Sequence, residues 1–169
     1  PAILQNVGSV RSIGFEAAGD VRLGGGVTLF GSYSYTGATY EDNVVTPTAT
    51  IAIKGKDVVD TPKHLLRGEV AYDSDTFFGR LGANYMSKRY FTYLNDQSVP
   101  GRALADATLG YRVDIGKRSP LEVQLNATNL LNKKYVSTIG SNGFGNRGDN
   151  QTLLAGAPQQ FFVTLKAGF

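Results

Sequence analysis

The sequence predicts an all-β fold: an antiparallel up-and-down array of about seven strands, forming part or all of a barrel. Three observations predict it. Apolar residues recur at every second position, the period of a strand, and not at helical spacing. The 169 residues include 21 glycines, which interrupt almost every window long enough to hold a helix. The connections are short and long in strict alternation, as expected when one rim carries tight turns and the other carries loops.

The elements follow in order. Ile13, Phe15 and Ala17 alternate with Ser12, Gly14 and Glu16. From Val27 to Thr36, the set Val27, Leu29, Gly31, Tyr33 and Tyr35 alternates with Thr28, Phe30, Ser32 and Ser34. Leu66, Gly68, Val70 and Tyr72 oppose Arg67, Glu69 and Ala71. A long segment from Phe77 to Tyr93 sets Leu81, Ala83 and Tyr85 against Arg80, Asn84 and Lys88. Ala105, Ala107, Leu109, Tyr111 and Val113 oppose Asp106, Thr108 and Arg112. Leu121, Val123, Leu125 and Ala127 oppose Glu122, Gln124, Asn126 and Thr128. Finally Phe161, Val163, Leu165, Ala167 and Phe169 alternate with Gln160, Phe162, Thr164 and Lys166. Residues 20–26, 73–76 and 115–120 read as turns. Residues 41–62, 95–102 and 135–158 read as loops rich in Gly, Asn, Asp, Thr and Pro.

Composition excludes several functions. Lys+Arg of 17 against Asp+Glu of 14 leaves a net charge of +3, too little for a nucleic-acid footprint. The absence of cysteine removes disulfides, thiolate metal sites and a cysteine nucleophile. The single histidine, His64, removes a multi-histidine metal centre, and no cofactor is expected. No strictly hydrophobic run exceeds three residues, so no transmembrane helix is expected. The chain starts at Pro1 with no charged n-region or apolar h-region. Either a removed leader or a piece of a longer chain is expected.

Two barrels fit the alternation. A soluble barrel turns its apolar face inward around an apolar ligand, and a membrane barrel turns it toward lipid. Three features favour the membrane. Charges stand mid-strand on the polar face, at Glu16, Arg67, Glu69, Arg80, Lys88, Asp106, Arg112, Glu122 and Lys166. Aromatics gather at strand ends in two girdles. Tyr72, Phe77, Tyr111 and Phe169 stand beside the turns, and Tyr33, Tyr35, Tyr85, Phe91 and Tyr93 toward the loops. The last strand, with Val163 and Leu165 on its apolar face, ends on Phe169 and resembles the C-terminal assembly signal of bacterial outer-membrane barrels.

The stretch Asn129-Leu130-Leu131-Asn132-Lys133-Lys134-Tyr135 resembles the penultimate strand of TonB-dependent outer-membrane receptors. A glycine-rich stretch, residues 141–149, and a last strand from Gln159 to Phe169 follow it, as in that family. Ser12-Ile13-Gly14-Phe15-Glu16, the segment Leu29 to Tyr35, and Thr61-Pro62-Lys63-His64 resemble earlier strands of the same family. Gln159-Gln160 departs from it, where an Arg is common.

The resemblance implies a bacterial outer-membrane location with a periplasmic C-terminus. The loops are then extracellular and the turns periplasmic. At about 24 residues per strand and connection, a plugged barrel of about 22 strands needs roughly 530 residues. The expectation is therefore that residues 1–169 are the C-terminal part of such a barrel, with the plug and earlier strands outside the chain. The implied function is non-enzymatic uptake of a small-molecule nutrient. A ferric chelate is the family's commonest cargo, and cobalamin or an oligosaccharide is the alternative. The implied partners are outer-membrane lipid, the protein's own plug and remaining strands, TonB acting through the plug, and the barrel-assembly machinery.

Candidate site residues follow. Arg67, Glu69, Arg80, Lys88, Asp106, Arg112 and Glu122 are expected to face the lumen, where they either pair across strands or meet plug carboxylates or an anionic ligand. Arg89, Tyr90 and Tyr93 near one strand end, and Phe144, Asn146 and Arg147 in a long loop, are the ligand-contact candidates, because Arg and aromatics suit anionic chelates with flat rings. Other motifs carry little. His64 near Asp57 or Asp60 lacks a nucleophile elbow. Gly143 to Gly148 fits G-x-G-x-x-G without a parallel strand and helix around it. Arg147-Gly148-Asp149 and the sequon at Asn126 are short enough to arise by chance.

Overall fold

A computed structural model describes residues 8–45, 48–114, 121–140 and 151–167. Its strands, in chain order, are β1 (Val10–Gly24), β2 (Val27–Tyr40), β3 (Val44–Val45), β4 (Thr50–Ile51), β5 (His64–Asp73), β6 (Phe77–Met86), β7 (Arg89–Tyr90), β8 (Ser98–Val99), β9 (Arg102–Val113), β10 (Leu121–Thr128), β11 (Val136–Gly140), β12 (Thr152–Ala155) and β13 (Gln160–Lys166). Seven of them form one antiparallel sheet in the order β1-β2-β5-β6-β9-β10-β13, so each strand pairs with its neighbour along the chain once the small hairpins are set aside. Those hairpins, β3–β4, β7–β8 and β11–β12, all lie within the three long connections.

Register makes the two faces continuous. Val21, Leu29, Val70, Leu81, Ala107, Ala127 and Phe161 stand side by side in one row across all seven strands. Because the side-chain period is two, fixing this row fixes every other row. Among the described residues nothing covers the apolar face. Leu109 is 66% exposed, Val163 70% and Leu165 68%. An exposed apolar face of this extent marks an interaction surface.

The apolar face is bounded by rings at both ends. Phe77 and Tyr111 pack at 4.8 Å toward one rim, and Phe15, Tyr33, Tyr35 and His64 form a contiguous group toward the other, with Phe15–Tyr33 at 5.4 Å and Tyr35–His64 at 5.4 Å. On β6 the eight steps from Phe77 to Tyr85 cover roughly 26 Å along the strand, close to the ~25 Å apolar band of a membrane barrel before tilt.

β1 and β2 are longer, at 15 and 14 residues, and run beyond this band. The far end of β2 enters a separate small core in which Tyr40, Val44, Ile53 and Tyr93 are buried, with Ile51, Val58, Val59 and Leu94 packed against them. The buried centre of the described residues therefore lies among the loops and not between sheet layers.

Two glycines are required by shape. Gly26, at φ 83°, closes the β1–β2 turn. Gly110 lies under the Phe78 ring, which occupies the place a β-carbon would take, while the Arg112 guanidinium stacks on that ring at 4.5 Å. Gly110→Ala should displace Phe78 and cost about 1–3 kcal/mol. The check is the urea midpoint of the full-length folded barrel, followed by its heat-modifiable gel mobility. An unchanged midpoint would refute the packing account.

Candidate functional site

The face opposite the apolar one carries the charges. Arg67, Glu69, Arg80, Asp106, Arg112 and Glu122 all project from it, as alternation requires. Most are paired within the sheet. Glu69 accepts from Arg67 at 3.0 Å and lies 3.8 Å from Arg80. Arg112 bridges Asp73 at 2.7 Å and Glu122 at 3.3 Å, and Lys166 approaches Glu122 at 3.6 Å. Asp106 has a different role, accepting the Asn129 backbone N–H at 2.8 Å.

Nearer the loops this face opens into a hollow of about 620 Å³. Arg67 and Arg102 supply cations, Glu16 a carboxylate that accepts from Ser34, Asn84 an amide, and Leu65, Met86 and Leu104 an apolar floor. Arg102 lies 4.4 Å above the Tyr135 ring. The hollow therefore combines guanidinium groups with apolar and aromatic surface, which suits an anionic ligand carrying ring systems.

The loops above it form an ordered layer. Asn95 clasps Asp57 by both ends of its amide, accepting the Asp57 N–H at 2.6 Å and donating to the Asp57 carbonyl at 3.0 Å. Thr92, fully buried, donates to Asp96 and accepts the Gln97 N–H at 3.2 Å. Arg89 ties three connections together. It bonds Asp60 at 2.6 Å and donates to the Val136 carbonyl at 3.1 Å. At the layer's edge the Ser9 N–H donates to the Asp42 carboxylate at 2.8 Å and holds its pKa below the ordinary value.

Lys63 bridges Asp57 at 2.9 Å, and that bond, with a smaller contribution from the Tyr35 and Tyr90 phenols, raises its pKa. A raised lysine pKa gives stability that is complete below the unfolded value and lost as pH rises through the folded one. The side chain is 46% exposed, so the contribution is at most a few tenths of a kcal/mol after screening. The expected result is a melting temperature insensitive to Lys63→Gln above about pH 11, with a small deficit at neutral pH. Circular dichroism melts of the full-length protein across that range would show it.

The structure redistributes the sequence-expected residues. The segment from Phe77 to Tyr93 is not one strand. β6 ends at Met86 and the chain turns into the β7–β8 hairpin, because Ser87 bonds back to His64 by backbone and hydroxyl and closes the ladder. Lys88 consequently leaves the alternation. It does not join the polar face but lines a small cavity with Lys63, His64 and Tyr90, on the side of the Tyr33–Tyr35 ring group. Tyr93 sits in the loop core and Phe91 in the hairpin, so neither joins the girdle. Arg89 and Tyr93, expected at a ligand-facing surface, are 6% and 7% exposed and held inside the loop layer. Tyr90 remains half-buried beside Lys88. Phe144, Asn146, Arg147 and Phe169 lie outside the described residues. Val163 and Leu165 stand on the apolar face, as their register requires.

The sequence pointed to no role for Arg102, placed Asp60 only beside His64, and placed Asn129 only in the family-like stretch 129–135. Asn129 and Asn132 adopt positive φ, 50° and 46°, which an Asn-x-x-Asn pair closing a strand signals, since Asn tolerates that region. The partners of Arg102 and Asp60 are 34 and 29 positions away, and no local pattern marks them.

Residues 1–130 match the family model described as TonB dependent receptor-like, beta-barrel. The ferric-pyoverdine M114 receptor PbuA of Pseudomonas sp. (strain M114) is 31% identical over 97% of this chain and 19% of its own length. The ferrioxamine B receptor of Salmonella typhimurium is 27% identical over 81% of this chain and 19% of its own. Among solved structures, the ferric preacinetobactin receptor BauA of Acinetobacter baumannii superposes with a TM-score of 0.76 at 22% identity, over 95% of this chain and 22% of that one. The chain thus spans about a fifth of the length of these relatives.

Proposed function

The chain belongs to the TonB-dependent receptor β-barrel family of the bacterial outer membrane, and from that premise we propose that it is a C-terminal wall segment of a receptor that takes up a ferric chelate. The family consists of receptors and not of enzymes. In this reading the exposed apolar face meets lipid and the charged face lines the lumen. β1 and β13 are the two edges of the sheet, and an edge in lipid must be paired. Further strands of the intact protein pair them, and a plug occupies the lumen and couples to TonB. The assembly machinery reads the last strand through Val163, Leu165 and Phe169.

The observation that carries the ferric-chelate reading is the lumen-side hollow in which Arg67 and Arg102 flank Leu65, Met86 and Leu104. The names of two relatives, receptors for ferric pyoverdine and ferrioxamine B, support it. Guanidinium groups bind the carboxylate or phenolate oxygens of a chelate, and the apolar floor accepts its ring or chain. Phe144, Asn146 and Arg147 are proposed as secondary contacts, with Arg89 and Tyr93 holding the loop layer in place, whereas Tyr90 lines the separate cavity beside Lys88.

The test is uptake of radioactive iron by iron-starved cells. Deleting the gene should abolish entry of one class of ferric chelate, and loss of TonB should do the same. Arg67→Gln with Arg102→Gln in the full-length receptor should weaken binding of an anionic chelate roughly tenfold or more, the scale of one charge-assisted hydrogen bond. Normal uptake of every ferric chelate by the deletion strain, with lost uptake of cobalamin or an oligosaccharide, would overturn the substrate and leave the transport class standing.

A further inference from the structure

We infer that Met86 is an oxidation site: peroxide converts its thioether to a sulfoxide whose oxygen captures the Arg102 guanidinium and so withdraws it from an anionic ligand. Met86 is the chain's one methionine. It ends β6 on the charged face, half-buried, and lines the hollow of about 620 Å³. Register sets it directly opposite Leu65 on one side and Arg102 on the other. The β-carbons of directly opposed residues stand roughly 5 Å apart, so these two long side chains reach each other across the ladder.

Arg102 is the guanidinium placed to respond. Arg67 is tied to Glu69 at 3.0 Å, Arg89 to Asp60 at 2.6 Å, and Arg112 to Asp73 at 2.7 Å. The described partners of Arg102 are neutral. They are the Tyr135 ring at 4.4 Å and the Val136 carbonyl at 3.4 Å, which Arg89 holds more closely at 3.1 Å. A thioether sulfur is a weak acceptor and leaves Arg102 to a ligand. A sulfoxide oxygen is a polar acceptor, and its hydrogen bond from a charged donor belongs to the strong class. The step balances. Hydrogen peroxide loses its O–O bond, one oxygen bonds to sulfur, the other leaves as water, and sulfur gives up an electron pair. Oxidation also makes the hollow's floor polar between Leu65 and Leu104. The consequence for uptake rests on the ferric-chelate reading above, whereas the modification and the capture of Arg102 do not. Iron and peroxide together are damaging, so such a receptor lowers iron entry when peroxide is present.

The experiment uses the intact receptor, purified in nonionic detergent and exposed to hydrogen peroxide. Peptide mass spectrometry should find one added oxygen on Met86 while gel mobility shows the barrel still folded. Phenylglyoxal, which modifies accessible guanidinium groups, then reads Arg102. Its modification should slow roughly tenfold after peroxide, the scale of one charge-assisted hydrogen bond. Methionine sulfoxide reductases specific for the two epimers should restore the original rate. In Met86→Leu, which nearly keeps the volume, peroxide should leave the Arg102 rate unchanged. Met86→Gln, which sets an amide oxygen in the same region, should show the slow rate without peroxide. A Met86 that oxidises only once the receptor is unfolded would overturn the site. An Arg102 rate that peroxide leaves unchanged in wild type, or slows equally in Met86→Leu, would overturn the capture. If neither variant folds, the reductase arm decides, because it uses the wild-type protein. Radioactive iron uptake separates this inference from the function it rests on. Wild-type cells should lose receptor-dependent uptake after a peroxide pulse, and Met86→Leu cells should keep their own untreated level. No uptake of any ferric chelate, beside a slowed Arg102 in the oxidised wild type, would overturn the ferric-chelate reading and support the oxidation site.

Discussion

Asn129→Ala is expected to lower the stability of the intact receptor by about 3–5 kcal/mol, the largest effect of any single truncation considered, since it removes several hydrogen bonds and strains one backbone position. Asn129 is 4% exposed and sits at φ 50° where β10 ends. Its amide donates to the Lys133 carbonyl at 3.0 Å and the Ala157 carbonyl at 3.0 Å, and its oxygen accepts the Lys133 N–H at 2.8 Å. Its own N–H is held by Asp106. One side chain thus joins the end of β10, the turn after it and the entry to β13. Alanine leaves three backbone groups, the Lys133 N–H and the Lys133 and Ala157 carbonyls, without this partner and puts a side chain other than Asn or Gly at a positive φ. Asn129→Gly should recover the backbone part only, about 1 kcal/mol. Thermal melts, with hydrogen exchange of residues 129–140 and 151–160, separate the two contributions. A loss below about 1 kcal/mol for alanine would refute the account, because a single average hydrogen bond is worth that much.

The second large effect is an asymmetry at the Arg89–Asp60 pair. Asp60→Asn is expected to cost about 2–4 kcal/mol and Arg89→Met only about 1–2. Arg89 is the buried partner, with a side chain 7% exposed, whereas the Asp60 side chain is 41% exposed. Removing the carboxylate's charge leaves a guanidinium stranded among the loops, with the Val136 carbonyl as its other partner. Removing the guanidinium leaves a carboxylate that water reaches, and methionine refills much of the space. Asparagine is the appropriate replacement at position 60 because φ is 56° there, so the test isolates charge from strain. Protease nicking of residues 48–62 and 87–101 in the full-length protein reports the loop layer directly. Equal costs, or a larger cost at Arg89, would show that the pair is exposed in solution.

Both predictions concern residues the alternation pattern could not rank. The pattern did yield the seven main strands. It placed Leu29, Val70 and Leu81 on one face and Arg67, Arg80 and Arg112 on the other, and register aligns both sets as expected. It failed at Lys88, because extending a period of two past Met86 assumed that the ladder continues, and only the return bond from Ser87 to His64 shows where it stops. It also read Phe91 and Tyr93 as girdle aromatics, since a ring near a strand end reads alike whether it meets lipid or fills a loop core. The two-residue strands of β3–β4 and β7–β8 are too short to leave any period.

The sequence by itself determined the class of fold, the up-and-down order of the strands, the two faces and the family resemblance. All of these rest on local information, a two-residue period and contiguous motifs. The tertiary structure alone decided that Arg89 ties loops together, that Arg102 joins Arg67 over an apolar floor, and that Lys88 turns to the outer rim beside Lys63. Each depends on groups tens of positions apart meeting in space, and where a chain folds back is set by which buried polar groups find partners there.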